Sequence, residues 1–286
     1  MIKGSAKWGR RISDGIIYAI LSILGILWVL PICYLVYTAF RETPSTGIIN
    51  TLFPNGLRLG MGNFVKLFRD TMFSRWLMNT LLVSISSCAL TTVFILMVSY
   101  ALSRLRFKMR KPIMNILLVL GMFPGFMSMI AIYFILKAMG LTNYLFALIL
   151  VYSGGAALSY YICKGFFDTV PKAMEEAAIL DGASQPMVFV KIILPMAKPI
   201  IVYTVLTSFI APWCDFIFVN TIISERSKYT VSLGLYKMIN AEKNSFNDNF
   251  TVFCAGAFVV GGIIVTLFMS MQRYYVEGIT SGAVKG

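Results

Sequence analysis

Apolar residues run along this chain in long, nearly unbroken stretches separated by short polar segments. Six stretches reach the roughly 20 residues that a helix needs to cross a hydrocarbon core of about 30 Å. They lie at about Gly15–Phe40, Leu77–Ser103, Pro112–Leu136, Tyr144–Cys163, Pro199–Ile223 and Thr251–Met271. None alternates apolar and polar residues as a lipid-facing barrel strand does. The pattern therefore predicts helices, which satisfy their own backbone hydrogen bonds inside the bilayer. The expected fold class is all-α: a polytopic membrane protein with six transmembrane helices over residues 15–271, an N-terminal segment 1–14 and a tail 272–286.

The polar segments between the runs set the expected orientation. Lys3, Lys7, Arg10 and Arg11 precede the first run, and Arg104, Arg106, Lys108, Arg110 and Lys111 crowd one short connection. Placing the N-terminus inside puts 15 of the 25 Lys and Arg on the inner face, and short loops weigh most in this rule. Both termini are then expected in the cytoplasm. A cleaved secretory signal usually has an apolar region of only about 7–15 residues. The first run is longer and continues through Trp28, Pro31 and Tyr37, so it reads as a retained helix. Two segments fall outside, residues 41–76, with a Pro- and Gly-rich loop composition, and residues 224–250, rich in Ser, Lys and Asn.

Composition adds to this picture. The chain is 58% hydrophobic and 13% charged, against roughly 45–50% and 25% in soluble domains, and its mean hydropathy is +0.79. A net charge of +13 could suggest nucleic acid, but the basic residues sit in clusters between spans instead of forming one patch. His is absent, which removes the commonest general base and metal ligand. The five Cys lie within apolar stretches with no C-x-x-C spacing, so they read as small buried hydrophobes. No phosphate-binding G-x-x-x-x-G-K-[ST] occurs, so the chain has no P-loop route to ATP.

The segment Asp168–Pro199, DTVPKAMEEAAILDGASQPMVFVKIILPMAKP, is too polar to span. Asp168 or Thr169 is placed to cap a helix that has Pro171 near its start and runs over Lys172–Asp181. Gly182 suits the left-handed residue that ends it. Ser184 and Pro186 open a second short helix, which Pro195 closes. The reading is a compact helix–turn–helix on the membrane face, with Met174, Ala177 and Ala178 on one side.

Glu176, Ala177, Ala178, Gly182, Ile192, Leu194 and Pro195 match every fixed position of the E-A-A-x3-G-x9-I-x-L-P pattern of ABC importer permeases. The tail Gln272–Gly286, QRYYVEGITSGAVKG, resembles the end of the carbohydrate-uptake members of that family, and the resemblance extends over essentially the whole chain. It implies the type I ABC importer permease fold, with segment 165–198 as a coupling loop that docks on an ATPase subunit. Glu176 would be the docking acid and Gly182 the turn. Gly278, Thr280, Gly282 and Lys285 would form the tail contact with the ATPase dimer. The implied partners are an ATP-binding-cassette ATPase dimer holding ATP and Mg, a second homologous permease, an extracytoplasmic solute-binding protein, a sugar or oligosaccharide and membrane lipid. This chain itself would bind no cofactor and no metal and catalyse no reaction, and it would sit in the bacterial inner membrane. Glycerol phosphate as the solute, or an ion-coupled secondary transporter, are the alternatives.

Many relatives carry Trp-Asn-Asp/Glu-Phe in the fifth helix, where this chain has Trp213-Cys214-Asp215-Phe216. Asp215 is the one acid inside an expected span. Trp213 and Asp215, with Tyr203 and Phe209, are candidates for lining the pathway, while Tyr133, Tyr152 and Tyr160 are further aromatic residues among which spacing does not choose. Gly121-x3-Gly125 is a close-packing pattern, with Pro124 beside it to allow a kink.

Overall fold

A computed structural model of the chain describes residues 2–42, 58–122, 125–155, 157–240 and 245–283. Those residues form helices α1 (Ile2–Phe40), α2 (Gly62–Asp70), α3 (Phe73–Arg104), α4 (Arg110–Met122), α5 (Gly125–Ala138), α6 (Leu145–Ser153), α7 (Ala157–Thr169), α8 (Lys172–Leu180), α9 (Gln185–Met196), α10 (Lys198–Cys214), α11 (Ile217–Ile222), α12 (Val231–Asn240) and α13 (Ser245–Ala283). Among the described residues, four candidate spans are long and apolar enough to cross a membrane: Ser13–Phe40, Phe73–Arg104, Leu145–Thr169 and Asn249–Arg273. Two bent pairs, α4 with α5 at 106° and α9 with α10 at 82°, bring the total to six if each is one span.

Three expected spans are interrupted. The third divides into α4 and α5, and Pro124, expected at its kink, lies outside the described residues. The fourth breaks after Ser153, where Gly155 takes φ +65°, a value that costs glycine little. The fifth stops at Cys214 because Asp215 is extended, with ψ 108°. Its carboxylate instead accepts the backbone N–H of Phe218 at 3.0 Å and so caps α11.

The chain divides into two compact units. In the first, residues 1–71 with 238–261, Phe40, Phe64 and Phe258 pack ring against ring with centroids 5.0–5.9 Å apart. Asn63 Nδ2 donates to the carbonyls of Ala39 and Arg41, holding α2 against the end of α1.

The second unit, residues 72–237 with 262–286, is built around α3. This helix buries a row of small hydroxyl residues, Thr80, Ser84, Ser87, Thr91, Ser99 and Ser103. Short side chains let neighbouring helices approach closely. Thr80 and Ser87 bond back to carbonyls of their own helix. Thr91 and Ser99 instead donate to the carbonyls of Tyr152 on α6 and Tyr160 on α7, each at 2.9 Å. Near the start of α3 one core gathers Val83, Leu136, Leu148, Phe218, Val219 and Leu233. Near its end a second gathers Ile95, Tyr100, Phe167, Val188, Ile193 and Ile200.

Candidate functional site

The short-helix segment forms as two short helices about Gly182, with one correction at its entry and one at its exit. Asp168 and Thr169 do not cap α8. Helix α7 runs through both of them, and Pro171 stands at the N-cap position. Asp168 is held elsewhere, accepting Ser103 Oγ at 2.6 Å and pairing with Lys164 Nζ at 2.5 Å. At the other end of α8, Gly182 takes φ +86°. The N–H of Gly182 reaches the carbonyl of Ile179 at 3.0 Å, and the N–H of Ala183 reaches that of Ala178 at 2.9 Å. This bond pair is the Schellman closure, which satisfies two carbonyls that a helix end leaves open.

Helix α9 begins after Ser184 and widens into a π turn over Phe189–Ile193. The turn directly precedes Leu194 and Pro195, whose ring excludes an α-type bond to the residue four before it. Pro195 does not close the helix; the backbone stays helical to Met196 and bends at Ala197.

Of the motif residues, Glu176 and Ala177 are exposed and Ala178 is half-buried against the second core. Ile192 and Leu194 pack on that core, and Pro195 is exposed. Leu180 is 88% exposed, and Ile179, Met187 and Val190 are also open. The loop thus holds itself to the helices through one side and leaves an acid and several apolar side chains free on the other.

Besides this apolar packing, a charged pair that sequence reasoning missed holds the loop. Arg104, the last residue of α3, has a side chain 5% exposed, and Glu175, in the first turn of α8, one 10% exposed. Arg104 Nε lies 2.6 Å from Glu175 Oε1, a charge contact without hydrogen-bond alignment. Its Nη2 donates to the carbonyls of Phe167 at 2.8 Å and Val170 at 2.7 Å. A cation is favourable at the carbonyl end of α7, as is an acid in the first turn of α8. Burial pushes the Glu175 carboxyl above the usual range, and the attraction of Arg104 and Lys172 only partly offsets that. In the sequence Arg104 reads as one charge of a topological cluster, and Glu175 is overshadowed by the motif acid beside it.

Within the second unit, a cavity of about 340 Å³ lies among Thr91 and Ile95 of α3, Tyr152 and Gly155 at the break after α6, and Thr207, Ser208 and Ala211 of α10. Gly155 is close-fitted here, since an added Cβ would lie 3.3 Å from Thr91 Cγ2. The hydroxyls of Thr91, Thr207 and Ser208 all donate to backbone carbonyls. Their oxygens keep acceptor capacity.

Asp215 joins three elements. Its Oδ2 accepts the Tyr152 hydroxyl at 2.9 Å, its Oδ1 caps α11, and its carbonyl accepts Ser232 Oγ. Tyr203 and Phe209 are half-buried. Trp213 is buried against Phe209, and among the described residues its indole N–H has no acceptor. None of these four expected pathway residues lines the cavity; their helix neighbours Thr207, Ser208 and Ala211 do. Gly278, Thr280 and Gly282 stand on the helical backbone of α13, and the Thr280 side chain, like the whole of Lys285, lies outside what the structure describes.

Residues 92–277 match the family described as binding-protein-dependent transport system inner membrane component. The chain is 31% identical over 286 residues, the full length of both chains, to the maltodextrin transport system permease protein MalD of Streptococcus pneumoniae. It is 30% identical over 274 residues, 94% of each chain, to the galactooligosaccharides transport system permease protein GanQ of Bacillus subtilis. Among solved structures it resembles a chain of a bacterial ABC transporter that imports the acidic polysaccharide alginate. The TM-score is 0.76 at 21% identity, over 93% of this chain and 98% of that one.

Proposed function

The chain belongs to the binding-protein-dependent transport system inner membrane component family, and from that premise we propose that it forms half of the translocation pathway of an importer for oligosaccharides. It is a multi-pass permease subunit of an ABC importer and not an enzyme. Its relatives named for maltodextrin and galactooligosaccharides support a sugar as the solute in preference to glycerol phosphate. The related alginate transporter has been crystallised with a periplasmic protein bound to an alginate pentasaccharide. A solute-binding protein outside the membrane is the corresponding partner here.

The observation that carries the mechanism is the α8–α9 loop, closed by Gly182 and exposing Glu176, Ala177 and Leu180. We place it in the cytoplasm, with both termini, against a separate ATPase subunit that binds ATP and Mg. A second, homologous permease supplies the other half of the pathway. Closure of the ATPase dimer moves the loop and switches the helices between two packed states. The hydroxyl-lined cavity is where this chain meets a passing sugar, through oxygens that accept from the sugar's hydroxyls, and Trp213 and Phe209 sit on the same helix. The tail residues Gly278, Thr280, Gly282 and Lys285 contact the ATPase.

The test is affinity purification of the tagged chain from native membranes, with and without Glu176→Lys. The parent should bring down an ATPase that hydrolyses ATP, while the variant should remain in the membrane, lose the ATPase and fail in uptake of labelled oligosaccharide. A variant that keeps both the ATPase and normal uptake would remove the loop from the coupling role.

A further inference from the structure

The α8–α9 loop is covalently continuous with α7 through Val170 and Pro171, and with α10 through Ala197. It is not continuous with α3. A displacement of the loop therefore reaches α7 and α10 along the chain; it reaches α3 through side chains, both directly and by way of the packing of α3 on α7 and α10.

The direct polar contacts come from one turn of α3, beside the apolar core that Ile95 shares with Val188 and Ile193. Tyr100, Ser103 and Arg104 stand at i, i+3 and i+4, so they share a face. Tyr100 Oη donates to Gln185 Oε1 of α9 at 3.1 Å, and its ring packs on Phe167 and Phe189. Ser103 Oγ donates to Asp168 of α7. Arg104 donates to two carbonyls at the C-terminal end of α7, those of Phe167 and Val170, and makes a charge contact with the carboxylate of Glu175 on α8. Both short helices of the loop are thus gripped by a single helix end. The same helix carries Thr91 and Ile95 to the cavity. At 1.5 Å per residue these lie only about 14–20 Å along α3 from Arg104, with an unbroken helix between.

We infer that Tyr100, Ser103 and Arg104 are the joint by which movement of the α8–α9 loop is imposed on α3 and so on the cavity wall, with Arg104 the positioning residue. The planar guanidinium suits this task because one rigid group reaches two carbonyls and a carboxylate at once, which a lysine ammonium on a flexible stem does not reproduce. Burial of the pair shields it from screening by salt. The inference rests on the importer reading above, because only a bound ATPase would move the loop.

The assembled importer, with its own cysteines replaced and isolated through a tag on this chain, provides the test. Spin labels are placed at Met97 on α3 and Val190 on α9, both exposed, and their separation is measured in nucleotide-free and ATP–vanadate-trapped states. In the parent the two positions move together and the separation stays constant. In Arg104→Gln and in Glu175→Gln the loop should move without α3, so a nucleotide-dependent shift in separation should appear while the ATPase stays bound. Arg104→Lys should show the same shift. A merely structural role would alter the resting separation equally in both states and create no such shift, and that result overturns the inference. If the Arg104 and Glu175 variants do not assemble, Tyr100→Phe with Ser103→Ala removes two grips without stranding a buried charge. The shift is expected there too, and a constant separation in that variant also overturns the joint. A parent preparation with no ATPase would instead defeat the importer reading.

Discussion

Tyr152 donates its hydroxyl proton to Asp215 at 2.9 Å, tying the break after α6 to the break after α10. The same carboxylate caps α11 through the N–H of Phe218. One acid therefore organises two irregular turns, at positions where backbone without helical bonds needs protein partners.

Asp215→Ala should leave the Tyr152 hydroxyl and the Phe218 N–H without their acceptor, at a cost of about 1–3 kcal/mol each for a buried group. Asp215→Asn retains one carbonyl oxygen and should lose less. Thermal unfolding of the detergent-solubilised protein should rank parent above Asp215→Asn above Asp215→Ala. Tyr152→Phe should add little in the Asp215→Ala background, since the bond is already gone. Equal stability of all three proteins would show that the carboxylate organises nothing.

Gly234 lies under Trp76, and an added Cβ there would fall 2.2 Å from the indole. Trp76 cannot easily move, because its Nε1 donates to the Arg226 carbonyl at 2.9 Å and its side chain is fully buried. Gly234→Ala should destabilise by about 1–3 kcal/mol, the usual cost of overpacking. At Gly261 of α13 a Cβ would meet nothing within 4 Å, and Gly261→Ala should be neutral or stabilising by up to about 1 kcal/mol through helix propensity. Melting temperatures of the two variants, compared side by side, check both statements.

The φ of +86° at Gly182 is open to side chains only at a conformational cost, although no neighbour would clash with a Cβ. Gly182→Val should cost about 1–2 kcal/mol and displace α9 relative to α8. Gly182→Asn, which tolerates the left-handed region, should keep most function. Abundance in the membrane, ATPase co-purification and uptake separate the outcomes: Val should lose the ATPase while staying inserted, and Asn should retain it.

Glu225 forms a polar knot outside the spans. Its carboxylate receives Lys228 Nζ at 2.7 Å and the Ser227 hydroxyl, and Asn143 accepts the backbone N–H groups of Ser224 and Glu225. The Lys228 bond, with Ser227 second, holds the Glu225 carboxyl below the usual range. A depressed folded-state value means that the contribution to stability is present above the unfolded pKa of about 4.3 and is lost as pH falls through the lower folded value. Melting temperature should therefore fall more steeply with acid in the parent than in Glu225→Gln over that window. Identical slopes would show that the knot does not report on the folded state.

The sequence by itself determined the solvent and the elements. Runs of some twenty apolar residues cannot be placed in water, so the helical class and the polar short-helix segment were legible from composition and pattern, whereas the breaks inside the third, fourth and fifth runs were not. Gly182 was legible too, because a glycine after a helical run is a local signal. Partners distant in the chain were not legible. Asp215 reads as a lone acid in a span, and only folding brings Tyr152 to it and breaks the helix there. Arg104 reads as one more inner-face charge, yet it is buried on Glu175 and on the end of α7. Local pattern reports which backbone each segment prefers. Which charge is desolvated, and against what, depends on contacts between helix ends that no spacing encodes, and tertiary packing alone decided them.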